Sequence, residues 1–95
     1  MAGYDRQKQS VSELCQILLK RGYLKTTEGN VSVRVAQGPA FAITPSSYDY
    51  ALMEADDICV LDFGLTQLEG DRKPSIESAM HAAVYQTRPD VHVII

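Results

Sequence analysis

The residue types able to do chemistry gather in four short stretches. Glu77 and His81 lie one helical turn apart, with Ser75 two residues ahead of Glu77, in KPSIESAMH at 73–81. Asn30 closes the polar run TTEGN at 26–30, Ser46 and Ser47 close TPSS at 44–47, and His92 sits in the apolar run VHVII at 91–95. A carboxylate at a helix start can move a proton or hold a cation. Hydroxyls, amides and glycine-containing loops at the ends of strands and helices carry donors suited to an anion such as a phosphate. Three such points, around Asn30, Ser46–Ser47 and Ser75, would form one anion site if the fold made them converge.

Each of these features also has a plainer reading. Ser75 can cap a helix, and the two loops can be ordinary turns. A glutamate in a first helical turn is favoured by the helix dipole by about 0.3–1 kcal/mol without any catalytic role. Glu77 and His81 could touch one metal ion together, but a zinc site takes three or four ligands. His81 reads as structural, packing or hydrogen-bonding beside Tyr85, and His92 reads as a structural strand residue.

The elements that must position these residues follow from periodicity. Val11, Leu14, Cys15 and Leu18 fall at i, i+3, i+4 and i+7, which predicts an amphipathic helix over about 5–21, stopped at Gly22. Valines at 31, 33 and 35 alternate with Ser32, Arg34 and Ala36, predicting a half-buried strand. Gly38-Pro39 turns it into a second strand at 40–44. A loop with one helical turn around 52–55 follows, with Glu54, Asp56 and Asp57 solvated. The segment 58–63, apolar on both faces apart from Asp62, predicts an interior strand, and 65–69 a shorter, more polar one. A second helix runs from near Ser75 to about Thr87, with Ile76, Ala79, Met80 and Ala83 as its buried face and Glu77, His81 and Tyr85 on another. The run 91–95 predicts a last strand. Three apolar β-branched residues ahead of a terminal carboxylate suit a segment that enters a core, so the chain is expected to continue past Ile95 in its parent protein.

Composition narrows the function classes. Ninety-five residues give one domain at most, with one modest core. A formal net charge of −3 and a pI near 5.2 supply no basic cluster for nucleic acid or an anionic membrane. Cys15 and Cys59 lie inside apolar patterns, which predicts buried free thiols in a reducing compartment. No stretch resembles a signal peptide or a membrane span, and Gly3 is one place too late for myristoylation, so the cytoplasm is the expected location. Asp62-Phe63-Gly64 spells a kinase metal motif without the glycine-rich loop, strand lysine or catalytic loop that kinase chemistry needs. Asn30-Val31-Ser32 is a glycosylation sequon with no secretory route.

EGNVSVR at 28–34, AITPSS at 42–47 and EGDRKPSIESAMHAAVYQTRPDV at 69–91 together resemble the N-terminal part of a class II aldolase/adducin domain. The likeness is greatest to L-fuculose-phosphate aldolases and related zinc-dependent sugar-phosphate lyases. The resemblance implies an α/β fold: a three-layer α/β/α unit with a mainly antiparallel central sheet, residues 1–95 being its N-terminal part. It implies a cytoplasmic homotetramer acting on a sugar phosphate. Substrate phosphate would lie at Gly29 and Asn30, at Ser46 and Ser47, and at Ser75 and Ile76. The catalytic acid/base, also a zinc ligand, would be Glu77, with the remaining Zn2+ ligands in a His-x-His after the last strand and in a later histidine, beyond Ile95. Two positions depart from the family's pattern. Ile76 replaces a serine, leaving a backbone N–H but no hydroxyl, and Ser47 stands where glycine is common.

The implied reaction is retro-aldol cleavage of a ketose 1-phosphate such as L-fuculose 1-phosphate to dihydroxyacetone phosphate and an aldehyde. The alternatives within the resemblance are a methylthioribulose-1-phosphate dehydratase, a pentulose-phosphate 4-epimerase, in which aspartate would be expected at position 77, or a non-catalytic adducin-like assembly module.

Overall fold

The computed structural model describes residues 3–36 and 38–95. In chain order these form α1 (Asp5–Lys20), β1 (Ser32–Arg34), β2 (Ala40–Ile43), two 3-10 turns (Tyr50–Leu52 and Ala55–Asp57), β3 (Cys59–Asp62), β4 (Gln67–Glu69), α2 (Ser78–Thr87) and β5 (Val93–Ile94). The strands make one antiparallel sheet in the order β4-β3-β2-β1-β5. The expected three-layer α/β/α arrangement is present, with one helix on each face.

Strand alternation divides the core cleanly. Val31, Val35, Ala40, Ala42, Ile58 and Val60 face α1, where they meet Val11 and Cys15, with Leu24, Tyr50 and Met53 closing the layer. Phe41, Ile43, Cys59 and Leu61 face α2 and meet Ala82 and Tyr85, with Phe63, Val91 and Ile94 at the margin. Both thiols are free and buried, as their apolar surroundings predicted. β1 is covered on both faces rather than half-buried: Ser32 is fully buried on the α2 side. Asp62 serves a turn, its carboxylate accepting from the Gly64 and Thr66 N–H groups.

Several expectations are corrected. The expected inner face of the second helix is its outer one: Ile76, Ala79, Met80 and Ala83 are exposed, while Ser78, His81, Ala82 and Tyr85 are buried. The cause lies across the interface, where β1 offers Ser32 and Arg34 and so draws in side chains that hydrogen-bond. The single helical turn expected around 52–55 is replaced by two 3-10 turns separated by Met53, which is buried, and Glu54. Asp57 is not solvated like Glu54 and Asp56. It accepts from the Glu54 N–H at 2.9 Å and pairs with Arg72 at 2.8 Å. Leu65 is left out of β4, because it takes a left-handed φ of 71° in the turn. The last strand is a two-residue edge strand paired with β1, with Val93 and Ile95 exposed.

Candidate functional site

The site is assembled where three loops meet at one end of the sheet. The loop before β1 is fixed by Gly29, whose φ of 96° suits glycine and whose Cβ, if present, would lie 2.8 Å from Leu24 Cδ2. The loop after β2 is tied to the first by Thr44, which donates its N–H to the Val31 carbonyl at 3.1 Å and accepts from the Val31 N–H through Oγ1 at 3.2 Å. The segment before α2 is clipped to the same loop by two backbone bonds around a Pro45–Pro74 bridge: Ser46 N–H to Lys73 O at 2.8 Å and Ser75 N–H to Thr44 O at 3.1 Å. Backbone pairing therefore sets the spacing of the polar side chains.

Gly29, Asn30, Ser46, Ser47, Ser75, Ile76 and Glu77 line one cleft of about 190 Å³, together with Thr27 and Pro45. Every residue proposed from sequence for phosphate, proton transfer or metal is in it. Ser47 adopts a left-handed φ of 56°, so the loop keeps the conformation a glycine would favour. Ser75 is nearly buried and its Oγ accepts the Glu77 N–H at 3.1 Å, while Ser78 Oγ donates to the Ser75 carbonyl at 2.7 Å. Glu77 accordingly occupies the N-cap position of α2, without a side-chain capping hydrogen bond, rather than its first turn, and it is exposed at the mouth of the cleft. The Ser75 and Glu77 N–H groups are engaged by the Thr44 carbonyl and Ser75 Oγ, so the start of α2 favours an anion through its dipole rather than through these donors.

Behind the cleft lies a buried polar chain that the sequence did not reveal. His81 Nε2 meets Asn30 Oδ1 at 2.5 Å, His81 Nδ1 meets Ser32 Oγ at 2.6 Å, and Ser32 Oγ meets Tyr85 OH at 2.7 Å. Burial pushes the His81 imidazole below its ordinary pKa, against the opposing pull of Glu77. Burial pushes the Tyr85 hydroxyl up, opposed by Ser32 and Arg34. His81 and Tyr85 at i and i+4, facing a strand serine, was the available signal; what hid it was the assumption that the apolar side of α2 faced inward. His92, by contrast, lies exposed near the opposite end of β1.

The donor set can be tested against zinc. Glu77 fits as one ligand, being an exposed carboxylate in a polar cleft. His81 has both ring nitrogens engaged by Asn30 and Ser32, and among the described residues no group of three or more His, Cys, Asp or Glu could hold a metal ion. No helix among the described residues is long and apolar enough to cross a membrane.

Residues 9–95 match the family described as Class II Aldolase and Adducin N-terminal domain. An L-fuculose phosphate aldolase of Haemophilus influenzae is 36% identical over 87 residues, covering 92% of this chain and 39% of the relative. A methylthioribulose-1-phosphate dehydratase of Methylococcus capsulatus is 35% identical over 92 residues, covering 97% of this chain and 44% of the relative. A solved L-fuculose 1-phosphate aldolase superposes with a TM-score of 0.86 at 36% identity, over 93% of this chain and 42% of that one. The chain thus spans about two-fifths of the length of the curated relatives it matches.

Proposed function

Since the chain belongs to the class II aldolase and adducin family, we propose that its parent protein is a zinc-dependent aldolase. It cleaves a ketose 1-phosphate such as L-fuculose 1-phosphate to dihydroxyacetone phosphate and an aldehyde. Residues 1–95 are the N-terminal part of a single domain. The observation that carries this reading is the cleft itself, where anion donors from three loops surround a position directly beside the Glu77 carboxylate.

The phosphate is held by the Asn30 side chain, the Ser46, Ser47 and Ser75 hydroxyls, and the backbone around Gly29 and Ile76. Ile76 contributes through its N–H alone. Its side chain is 81% exposed, so the lost hydroxyl removes one donor without filling the cleft. Anchoring the phosphate fixes the sugar chain relative to Glu77. When the carbon–carbon bond breaks, the hydroxyl on the departing carbon gives up its proton to solvent and becomes the aldehyde carbonyl, while the electron pair of the broken bond passes into the enediolate of dihydroxyacetone phosphate. Glu77, protonated from solvent, delivers the proton that the enediolate carbon takes up, and removes it in the condensation direction. Zinc, with Glu77 as one ligand and the others from beyond Ile95, would supply the positive charge that stabilises the enediolate.

The same reading makes the parent a cytoplasmic homotetramer with a sugar phosphate as its partner. The 95-residue chain alone is expected to be inactive for want of metal ligands, and tight zinc binding with turnover by that chain would overturn this. The direct test is release of dihydroxyacetone phosphate from L-fuculose 1-phosphate by the whole protein. Glu77→Gln should lower kcat by about 10²–10⁴-fold, the usual worth of a general acid–base. The similarity to a dehydratase at nearly equal identity favours one second reading, in which the substrate is methylthioribulose 1-phosphate and water is lost instead. Turnover of that compound with no cleavage of ketose phosphates would establish it.

A further inference from the structure

We propose that His81 is a positioning residue for anion recognition: through its bond to Asn30 it holds the Asn30 amide with its NH2 group turned toward the cleft. This deepens the phosphate reading above and rests on it. An asparagine beside an anion is useful in only one orientation. Turned the other way, its carbonyl oxygen would face the phosphate and repel it.

The buried chain sets that orientation by the direction of its hydrogen bonds. Asn30 Oδ1 can only accept, so the 2.5 Å contact requires a proton on His81 Nε2. In a neutral imidazole the other nitrogen must then accept, and the atom 2.6 Å from Nδ1 is the Ser32 hydroxyl, which can donate to it. Ser32 Oγ is left to accept from the Tyr85 hydroxyl 2.7 Å away. The direction therefore runs from Tyr85 to Ser32, to His81, to Asn30, and on to the cleft. In the reverse direction the Tyr85 hydroxyl would become an acceptor. Its proton would need another partner in a region where Phe41, Phe63 and the Arg34 guanidinium surround the ring.

Burial holds the arrangement in place. Ser32, His81 and Tyr85 are each at most 1% exposed, so water has no access with which to satisfy a reversed chain. The backbone supports the same geometry, because Ser32 and Asn30 flank Val31, whose N–H and carbonyl are both bonded to Thr44. His81 lies behind Asn30 and does not line the cleft. It acts on the anion only through Asn30.

The test is titration of inorganic phosphate into the wild-type chain and four variants, with folding of each checked by thermal unfolding. Asn30→Ala should weaken binding about tenfold, the loss expected for one hydrogen bond to a charged group. His81→Met, which keeps the packing but not the donor, should weaken it about as much, and the double variant should lose no more than either single one. His81→Gln, whose amide can still donate to Asn30, should restore binding to within about threefold of wild type. The 15N spectrum of the imidazole should show the Nε2–H form. Binding lost in Asn30→Ala but kept in folded His81→Met, or an Nδ1–H imidazole, would overturn the positioning role and leave the phosphate reading standing. Absent phosphate binding, or binding indifferent to Asn30→Ala, would overturn both.

Discussion

The two faces of the sheet are built on different principles. On the α1 face, valines and alanines of the sheet meet Val11 and Cys15, with Leu24, Tyr50, Met53 and Ile58 filling the layer, which holds mainly by apolar burial. On the α2 face, a ring cluster of Phe41, Tyr85 and Phe63 sits beside hydrogen-bonded Ser32, His81 and Arg34. Burial is non-directional, whereas hydrogen bonds fix orientation. The difference teaches why the cleft sits at the start of α2: the face that needs exact side-chain directions is the one whose helix supplies Glu77 and supports Asn30.

The largest expected effect tests how far the α2 face depends on one side chain. Phe41 is fully buried, with its ring 5.4 Å from that of Tyr85 and 6.2 Å from that of Phe63. Phe41→Ala should cost about 3–5 kcal/mol in urea unfolding, while Met53→Ala on the α1 face should cost about 2–3 kcal/mol, because small neighbours can close around a thioether gap. A greater loss for Met53→Ala would reverse the comparison.

Arg34 comes next. Its guanidinium donates to the Val91 carbonyl at 2.8 Å and to the Tyr85 and Arg88 carbonyls at 2.8 and 3.0 Å, and it stacks 4.8 Å from the Tyr85 ring centre. It thus satisfies carbonyls freed by the end of α2 and joins that end to β1. Arg34→Lys keeps the charge but loses the planar fork, and should cost about 2 kcal/mol. A cost near zero would mean that water takes over those carbonyls and that the rings alone hold α2.

These two faces were unequally legible from sequence. The i, i+3, i+4, i+7 run of α1 and the alternation of Val31, Val33 and Val35 point to one apolar face each, and both are where they were expected. Around α2 the same rule misled. Ile76, Ala79, Met80 and Ala83 form the more apolar stripe, yet the buried stripe is Ser78, His81, Ala82 and Tyr85. Periodicity finds a stripe but not its partner, and the partner here is a strand face carrying Ser32 and Arg34. The cleft was more legible, since glycine, hydroxyls and amides at element ends are local signals. The two-bond clip between Lys73–Ser75 and Thr44–Ser46 was not, because any residue type can make a backbone hydrogen bond.

Acidity separates the faces by a smaller margin. His81 is held neutral in the fold by burial, with its pKa below the ordinary 6.5, so only the unfolded chain gains a proton as pH falls through that value. Stability is therefore complete above about pH 6.5 and declines as pH drops through that value toward the folded-state pKa. His81→Gln should remove this decline, and its persistence would place the sensitive group elsewhere. Alkali does not discriminate. Burial pushes Cys15 and Tyr50 on the α1 face up to about 12, and Cys59 on the α2 face up to about 11, so stability should fall on both sides once the unfolded chain begins to ionise above about pH 9.

The smallest expected effect is the sharpest test of how α2 is turned. Met80 is 55% exposed and Ala83 lies on the same outward side. Met80→Glu should change the unfolding free energy of this chain by no more than about 0.5 kcal/mol, since it buries no charge and keeps a good helix former. Were the apolar stripe packed inward, the same substitution would place an unpaired carboxylate in the core and cost several times more. Tyr85→Phe supplies the opposite sign of the same test. It leaves the ring cluster intact but takes the donor from Ser32, and should cost about 1 kcal/mol where an outward tyrosine would cost nothing. A near-silent Met80→Glu beside a measurable Tyr85→Phe is the outcome only the hydrogen-bonded orientation allows.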